Sequence, residues 1–303
     1  MEAKASSLRW GILRQAILGR CSPQNHDGHP TSSAMKSISR KASQGFNLIP
    51  SHPVDDKEDS NRKDSCTCYI LPVPGAPKLF LTQRADNVAD LSDFENSNRY
   101  NVDNTGLVCN WPSEEVMAYF CLSHADMFRT KRVIELGSGY GLAGLVIAAT
   151  TEALEVVISD GNPQVVDYIQ QNIDSNTGVF SRTKVKSMAL HWEQDISRIS
   201  DTFDVIIASD CTFFKEFHKG LACTLKLLLT DNGPSEAIFF SPKRGDSLDK
   251  FLETIQEYGF RYSVTENYDA DVWRLHQGFM YGNEFWPTYD KDHCYPLLVR
   301  ISL

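Results

Sequence analysis

Residues 133–148 have the sequence VIELGSGYGLAGLVIA, which places four glycines between two apolar runs. Glycine at the end of a strand lets backbone N–H groups and a helix N-terminus approach a ligand closely. The spacing of Gly139, Gly141 and Gly144 matches a dinucleotide fingerprint. That match is weak by itself, because such glycines also serve tight turns. The segment predicts a ligand-binding loop that opens a helix.

Glu135 stands two residues before Gly137, the first glycine of this loop. A pyrophosphate bound above the helix would be repelled by a carboxylate at the strand end, whereas an ammonium would be attracted. S-Adenosylmethionine carries such an ammonium, so Glu135 favours this ligand over a dinucleotide. The alternative role for Glu135 is to cap a helix or to face solvent.

Two further residues fit a bound nucleoside. Asp160 follows the segment EVVIS, twenty-three residues after Gly137, where a carboxylate can accept both ribose hydroxyls. This position serves NAD and S-adenosylmethionine equally. Trp192 follows a third predicted strand, where an indole can stack on adenine. For a lone tryptophan, packing in the core is the alternative.

The segment ASDCTFF, residues 208–214, follows the fourth predicted strand. Loops at the carboxyl end of central strands meet the reacting atom, and the N-P-P-[YF] signature of amide and base-amine methylation is absent here. A carboxylate followed by aromatic residues would suit a lysine amine as the methyl acceptor. Such an amine must first lose its proton, because at pH 7 only about one in a few thousand is neutral. Aromatic walls and a sulfonium disfavour the ammonium, while Asp210 can orient the nitrogen by a hydrogen bond. Phe213 and Phe214 then line an apolar channel, or alternatively pack in the core.

Regular alternation of strands and helices positions these loops. A helix is predicted after WPSEE with Ser113 as its N-cap, because apolar residues there recur at helical spacing. Continuous apolar runs such as VVIS fit a parallel sheet covered by helices on both faces. This is a doubly wound α/β domain. Strands are predicted at RVIEL, EVVIS, KVKSMAL, FDVIIAS, EAIFFS, FRYSV and YPLLVRIS, and further helices from Leu142, Pro163, Phe214 and Ser247.

The chain before this domain has a different composition. Residues 1–50 hold seven basic and two acidic residues, a balance of +5, which leaves −14 for the rest of a chain whose total is −9. Residues 8–17 carry apolar side chains at helical spacing, typical of a basic amphipathic helix that docks on the protein or a partner. An organelle transit peptide is the alternative. Residues 21–65 are mostly small, polar or charged, which predicts a partly disordered tether. The segments CTCYILP and KLFLTQ then predict a hairpin.

Composition excludes several classes of protein. Hydrophobic residues make up 42% and charged residues 23%, as in ordinary globular chains. No apolar run reaches the roughly 18 to 20 residues that a bilayer span needs. The eight cysteines are scattered without zinc-site spacing, which indicates reduced intracellular thiols. A net charge of −9 argues against a nucleic-acid partner. We expect a soluble protein without a metal site.

In their order along the chain, these motifs resemble the seven-strand family of class I protein lysine methyltransferases. The resemblance spans nearly everything from residue 103 to the end. It implies a doubly wound, seven-stranded, Rossmann-like class I S-adenosylmethionine methyltransferase fold with a small β-rich N-terminal element. It is carried by DNTGLVCNWPSEEVMAYFC (103–121), VIELGSGYGLAG, SDGN, LHW, ASDCTFF, SPKRGDSL (241–248), ENYD (266–269) and YPLLV.

The resemblance also implies site residues. Asp210 and Phe213 fall on the family's D-x-x-Y position and are the candidate catalytic residues. Because Phe213 replaces the tyrosine, a phenol hydroxyl has no role here, although the aromatic wall remains. S-Adenosylmethionine is the implied cofactor, with Trp111, Glu135, Leu136, Gly137, Ser138, Gly139, Asp160, Gly161, Trp192 and Ser209 around it.

The calmodulin branch of this family also carries D-C-x-F, which implies a calmodulin lysine as the methyl acceptor. Calmodulin is strongly acidic, and so is this chain after residue 50. We hypothesise that the basic N-terminal segment, with Lys243 and Arg244, offsets the repulsion. The alternative for SPKRGD is a solvated turn.

We expect a cytoplasmic and nuclear monomer with neither membrane nor nucleic-acid partner, a cleaved transit peptide being the alternative.

We accordingly divide the chain into residues 1–65, a basic and largely disordered segment, residues 66–110, a small β-rich element, and residues 111–303, the methyltransferase domain.

Another protein lysine is an alternative acceptor. An NAD(P)-binding oxidoreductase would share the sheet, the glycines and Asp160, but it leaves Glu135 unexplained and no Tyr-x-x-x-Lys pair stands out. A non-enzymatic scaffold would have no reason to keep Glu135, Asp160 and Asp210 at loop ends.

Overall fold

The computed structural model describes residues 45–54, 63–73, 75, 77–85, 93, 99, 102, 104–108, 111–192, 201–230, 233–282 and 285–303. The predicted amphipathic helix at residues 8–17 lies outside the described residues. Within the described ranges no helix is long and apolar enough to cross a bilayer. The same ranges contain no cluster of three or more side chains that could hold a metal ion.

A small antiparallel sheet precedes the main domain. It consists of β1 (Ser51–Pro53), β2 (Asp64–Ile70) and β3 (Lys78–Arg84), in the order β1-β2-β3. The pairing of β2 with β3 confirms the predicted hairpin. Two buried asparagines then cap the exposed edge of β3: Asn176 exchanges hydrogen bonds with the backbone of Phe80, and Asn172 with that of Thr82. These bonds satisfy edge-strand backbone groups and fasten the small sheet to the main domain.

Residues 45–54 are also part of the folded protein. Phe46 and Ile49 are buried, and Phe46 packs edge-on against Phe279 and Trp286. The Glu115 carboxylate accepts hydrogen bonds from the backbone N–H groups of residues 47, 48 and 49 at 3.1, 2.7 and 3.3 Å. The partly disordered tether predicted over residues 21–65 therefore includes an ordered segment here, because distant aromatic and acidic side chains hold it.

The main sheet has seven strands, which are β4 (Arg132–Leu136), β5 (Glu155–Asp160), β6 (Lys184–Ala189), β7 (Val205–Ser209), β8 (Glu236–Ser241), β9 (Arg261–Thr265) and β10 (Leu297–Ser302). Their order in the sheet is β6-β5-β4-β7-β8-β10-β9, and all seven predicted strands are confirmed. The first five strands in this order pair in parallel, whereas β10 pairs antiparallel with both β8 and β9 and makes the sheet mixed.

Every residue of β7 is buried, so both faces of the sheet are covered and the doubly wound prediction is confirmed. Helices starting at Leu142, Pro163 and Ser247 are confirmed as well. The helix predicted from Phe214 begins at His218, after a single 3-10 turn. The helices are α1 (Thr105–Val108), α2 (Pro112–Ser123), α3 (Leu142–Thr150), α4 (Pro163–Asn176), α5 (His218–Leu228), α6 (Ser247–Glu257), α7 (Ala270–Met280) and α8 (Lys291–Cys294).

One predicted N-cap is wrong, and one helix was not predicted. Trp111, not Ser113, is the N-cap residue of α2, because Pro112 occupies the first helical position, where its missing N–H costs nothing. The Ser113 hydroxyl donates to the Asp210 carboxylate instead. Helix α7 was not predicted, although the Asp269 carboxylate that caps it accepts from the N–H groups of Asp271 and Val272.

Candidate active site

A cavity opens at the carboxyl ends of β4, β5 and β7, with about 980 Å³ of empty space, part of it open to solvent. Ligand sites of open α/β sheets lie at this edge. All predicted site residues except Glu135 and Leu136 line the cavity. The lining is Val102, Thr105, Gly106, Trp111, Glu114, Gly137, Ser138, Gly139, Asp160, Gly161, Asn162, Leu190, His191, Trp192, Ser209, Asp210, Cys211, Phe213, Phe214, Phe217 and Arg244.

The glycine loop forms one wall of the cavity. Gly137 has a φ of 57°, and a Cβ there would lie 2.8 Å from Cys211 Sγ and 3.1 Å from the Trp192 ring. Only glycine therefore fits at this position. Gly139 N donates to Asp160 Oδ2 at 3.2 Å, while Asp160 Oδ1 accepts from Asn162 N at 2.8 Å. The loop is thus held against the residue predicted to bind ribose.

The Glu135 carboxylate lies beneath the loop rather than in the cavity. Its side chain is fully buried, and Oε2 accepts a hydrogen bond from Gly144 N at 2.8 Å, in the first turn of α3. A Cβ at position 144 would come within 2.7 Å of that oxygen, which explains this glycine. The structure therefore shows the alternative role, in which Glu135 caps helix α3. The prediction that Glu135 faces the ligand is corrected, because α3 draws its carboxylate under the loop.

Leu136 is likewise buried and lies outside the cavity lining. Its carbonyl oxygen accepts a hydrogen bond from Cys211 Sγ at 3.2 Å, so Leu136 supports the glycine loop on the side away from the cavity. Among the described residues, two buried polar oxygens at the loop lack a hydrogen-bond partner, Glu135 Oε1 and Ser138 Oγ. Ser138 is only 3% exposed and belongs to the residues that line the cavity, and a buried hydroxyl without a partner is a candidate for a ligand contact.

Glu114 was missed as a site residue by the sequence analysis. It belongs to WPSEE, where both carboxylates counted only as first-turn residues of a helix. In the structure Glu114 lines the cavity, and Oε1 accepts from Leu142 N at 3.0 Å. Burial raises its pKa to about 7; the Leu142 hydrogen bond opposes that rise, and the charge of Asp160 adds to it. Burial and the charge of Glu114 also raise the pKa of Glu135 well above its usual value.

At the other end of the cavity, Trp192 is partly buried and meets Phe217 edge-on at 6.3 Å. Gly161 lies beside Val102 and the Leu190 carbonyl, where a Cβ would be 3.4 Å from the valine. These residues form the wall where the sequence places adenine. Trp192 also packs on the core, as the alternative had it, while its contact with adenine stays a prediction.

Asp210 and Arg244 form a buried ion pair at the cavity. Arg244 Nε and Nη2 donate to the two Asp210 oxygens at 2.8 and 2.6 Å, and both side chains are about 5% exposed or less. The guanidinium lies over Trp111 at 4.5 Å and Phe213 at 5.2 Å from the ring centres. Arg244 is therefore neither a solvated turn residue nor a surface charge for an acidic partner. That part of the electrostatic hypothesis is corrected, while Lys243 is exposed.

Phe213 and Phe214 form the outer wall. Phe213 is 41% exposed and contacts Phe214 edge-on at 4.6 Å. Phe214 is partly buried and faces Phe217. Because both line the cavity, core packing does not account for either. The Asp210 carboxylate, the Arg244 guanidinium and these aromatic rings thus meet at the mouth of the cavity, beside the glycine loop.

Comparison with known proteins agrees with this site. Residues 94–258 match the lysine methyltransferase family. The calmodulin-lysine N-methyltransferase of Arabidopsis thaliana is 61% identical over 302 residues, which cover 99% of this chain and 97% of that protein. The EEF1A lysine methyltransferase 3 of Xenopus tropicalis is 27% identical over 148 residues, 48% of this chain and 62% of that protein.

The chain belongs to the lysine methyltransferase family. It is a methyltransferase that uses S-adenosylmethionine. The residues fit this cofactor: the glycine loop leaves room that side chains would fill, Asp160 lines the cavity where ribose binding is predicted, and Ser138 has an unpartnered hydroxyl. Buried acids beside the loop complement an ammonium.

Proposed function

We propose that this enzyme methylates a lysine side chain of calmodulin. The observation that carries the proposal is the 61% identity to a calmodulin-lysine N-methyltransferase over nearly the whole of both chains. That identity extends far beyond the cofactor loop shared by methyltransferases in general. A lysine of another protein is the second candidate acceptor.

Asp210 suits the positioning of an amine nitrogen. A carboxylate offers about four lone-pair sites. Arg244 takes two of them and Ser113 Oγ a third, at 3.3 Å, which leaves room for one N–H donor from the acceptor. Because Arg244 compensates the charge of Asp210, this carboxylate stabilises an ammonium less than a lone carboxylate would. Asp210 therefore orients the neutral amine.

The surroundings of Asp210 favour loss of the lysine proton. The Trp111 and Phe213 rings would replace part of the water around the bound nitrogen, and the Arg244 cation lies against both rings. A nearby cation and burial each lower the pKa of an amine. S-Adenosylmethionine, when bound, supplies an electrophilic methyl group on a sulfonium, adding a second positive charge. The amine proton leaves through the open mouth beside the exposed Phe213.

Docking of an acidic substrate needs positive charge on the enzyme. The balance of +5 in residues 1–50 and the exposed Lys243 are the sources we propose. A variant that lacks residues 1–44 keeps every described residue and tests this directly. We expect a higher KM for calmodulin and a weaker dependence of KM on salt. An unchanged KM with unchanged salt dependence would remove the tail from the proposal.

The substrate itself is tested by methyl transfer from labelled S-adenosylmethionine in a cell extract that contains the purified enzyme. We expect the label on calmodulin, and its absence after Asp210→Asn substitution. Label on a different protein would favour the second candidate acceptor. We also propose a cytoplasmic and nuclear location, which imaging of the tagged full chain tests; label confined to an organelle would favour the transit peptide.

A further inference from the structure

Three acidic side chains surround the glycine loop. Glu114, Glu135 and Asp160 all lie at this loop, from α2, β4 and β5. Among the described residues, neither Glu114 nor Glu135 forms an ion pair. Arg244, the one Lys or Arg side chain among the described residues that line the cavity, is paired with Asp210. Buried uncompensated carboxylates are costly, so a cationic ligand is expected to bind beside them.

The two glutamates differ in access to the cavity. Glu135 is fully buried under the loop and its Oε2 is held by Gly144 N. Glu114 lines the cavity, with Oε1 held by Leu142 N. Because only one of its oxygens is fixed by α3, Oε2 of Glu114 remains able to accept from a ligand. Ser138 adds an independent sign of a ligand here, since this residue lines the same cavity and its buried hydroxyl has no hydrogen-bond partner among the described residues.

We propose that Glu114, and not Glu135, is the carboxylate that pairs directly with the α-ammonium of S-adenosylmethionine. Ser138 Oγ donates to the α-carboxylate of the same amino-acid group. Glu135 acts from below, by fixing the first turn of α3 through Gly144. The inference rests on the cofactor assignment and is independent of which protein is methylated.

Cofactor binding is then linked to ionisation at the loop. A bound ammonium favours the charged form of Glu114, whose pKa burial otherwise raises to about 7. At a pH below that value, binding therefore releases protons. The titratable and charged groups facing Glu114 are Tyr69 from β2, Glu135 from β4, Tyr140 from the glycine loop and Asp160 from β5.

The test is calorimetric binding of three ligands to Glu114→Gln in the full chain. The isosteric amide can still accept from Leu142 N, which preserves the fold. Loss of one charged hydrogen bond should weaken S-adenosylmethionine and S-adenosylhomocysteine alike, by about 10- to 100-fold. Methylthioadenosine lacks the amino-acid part, so its affinity should stay within about threefold. Fewer protons should be released than from the wild type at pH 6.5.

Glu115→Gln is the matched control, because Glu115 neighbours Glu114 but binds residues 47–49 and does not line the cavity. It should bind all three ligands as the wild type does. Glu114→Gln with wild-type affinity for S-adenosylhomocysteine would overturn the proposal, as would an equal loss for methylthioadenosine. A wild-type protein that binds none of the three would instead refute the cofactor assignment itself.

Discussion

Arg244 holds Asp210 through two hydrogen bonds of 2.8 and 2.6 Å while its guanidinium lies 4.5 Å from the Trp111 ring. The pair joins the loop after β7 to the loop after β8, at the mouth of the cofactor cavity. Both residues have positive φ angles, 56° for Asp210 and 47° for Arg244. Left-handed backbone is unfavourable for such residues, and the buried pair holds both loops in it.

Removing either partner of this pair should destabilise the protein. Asp210→Asn leaves the guanidinium buried and uncompensated, and the expected loss is about 3–5 kcal/mol in the free energy of unfolding. Arg244→Met should lose a similar amount. The double variant should be more stable than either single variant, because no buried charge is left alone. Denaturant unfolding measures all four proteins. Strict additivity of the two losses would contradict a coupled pair.

Catalytic activity should respond differently from stability in the two single variants and the double variant. Asp210→Asn, Arg244→Met and the double variant should all lose at least about 100-fold in kcat, since none positions the amine as the wild type does. Their Kd for S-adenosylmethionine should change little, because neither residue is assigned to the cofactor. Single-turnover kinetics separate the two quantities. Recovery of kcat in the double variant would argue that Asp210 has only a structural role.

Gly144→Ala should damage the cofactor loop. The added methyl would lie 2.6 Å from Ile158 Cγ1 and 2.7 Å from Glu135 Oε2. We expect a loss of about 1–3 kcal/mol in stability and weaker cofactor binding, from overpacking at the start of α3. Gly178→Ala is the matched control, because nothing lies within 4 Å of its added methyl. Equal melting temperatures for the two variants would contradict the close packing.

The stability of the cofactor-free enzyme should fall as pH rises. Glu114 and Glu135 have pKa values raised in the folded state above the usual 4.5, so folding binds their protons more tightly than the unfolded chain does. Their stabilising contribution is complete below about pH 4.5 and is lost as pH rises through the folded value, about 7 for Glu114.

Glu114→Gln removes one of these two titrations. At pH 8 the cofactor-free variant should exceed the wild type by about 1–3 kcal/mol, given about 1.4 kcal/mol per unit of pKa shift. Thermal melts between pH 5 and 8 measure the difference. A gap between the two proteins that does not widen over this range would mean that Glu114 keeps its ordinary pKa.

Glu115 should anchor the N-terminal segment. Glu115→Ala removes the acceptor of three backbone N–H groups, those of Asn47, Leu48 and Ile49. Hydrogen exchange at these amides should accelerate at least about tenfold, because local opening no longer breaks bonds to a charged group. Exchange in β7 should not change. Protection of residues 47–49 that survives the substitution would show that Phe46 packing alone holds the segment.

The sequence was sufficient for the strands and the loops that follow them. Apolar runs such as VIIAS specify buried parallel strands, and their loops necessarily meet at one edge. This brought Asp160, Ser209 and Asp210 together without further information. The antiparallel insertion of β10 could not be deduced, because an apolar strand buried on both faces has the same pattern in either direction.

The contacts that the sequence could not predict join distant segments of the chain. Arg244 meets Asp210 across 34 positions, and Glu114 meets Leu142 across 28. Spacing cannot predict either contact, since each is set by how a helix or loop packs on the sheet. Glu115 holds a segment that its composition had marked as disordered. The sequence offered one signal for Glu114: it is an acidic residue in WPSEE, a motif that precedes a glycine loop already flanked by the acidic Glu135.

The most direct measurement is mass spectrometry of purified calmodulin after incubation with this enzyme and S-adenosylmethionine. Our account predicts one or more added methyl groups on a single lysine, with no addition when Asp210→Asn replaces the wild-type enzyme. Unmodified calmodulin, under conditions where the enzyme binds S-adenosylmethionine and methylates another protein, would contradict calmodulin as the substrate.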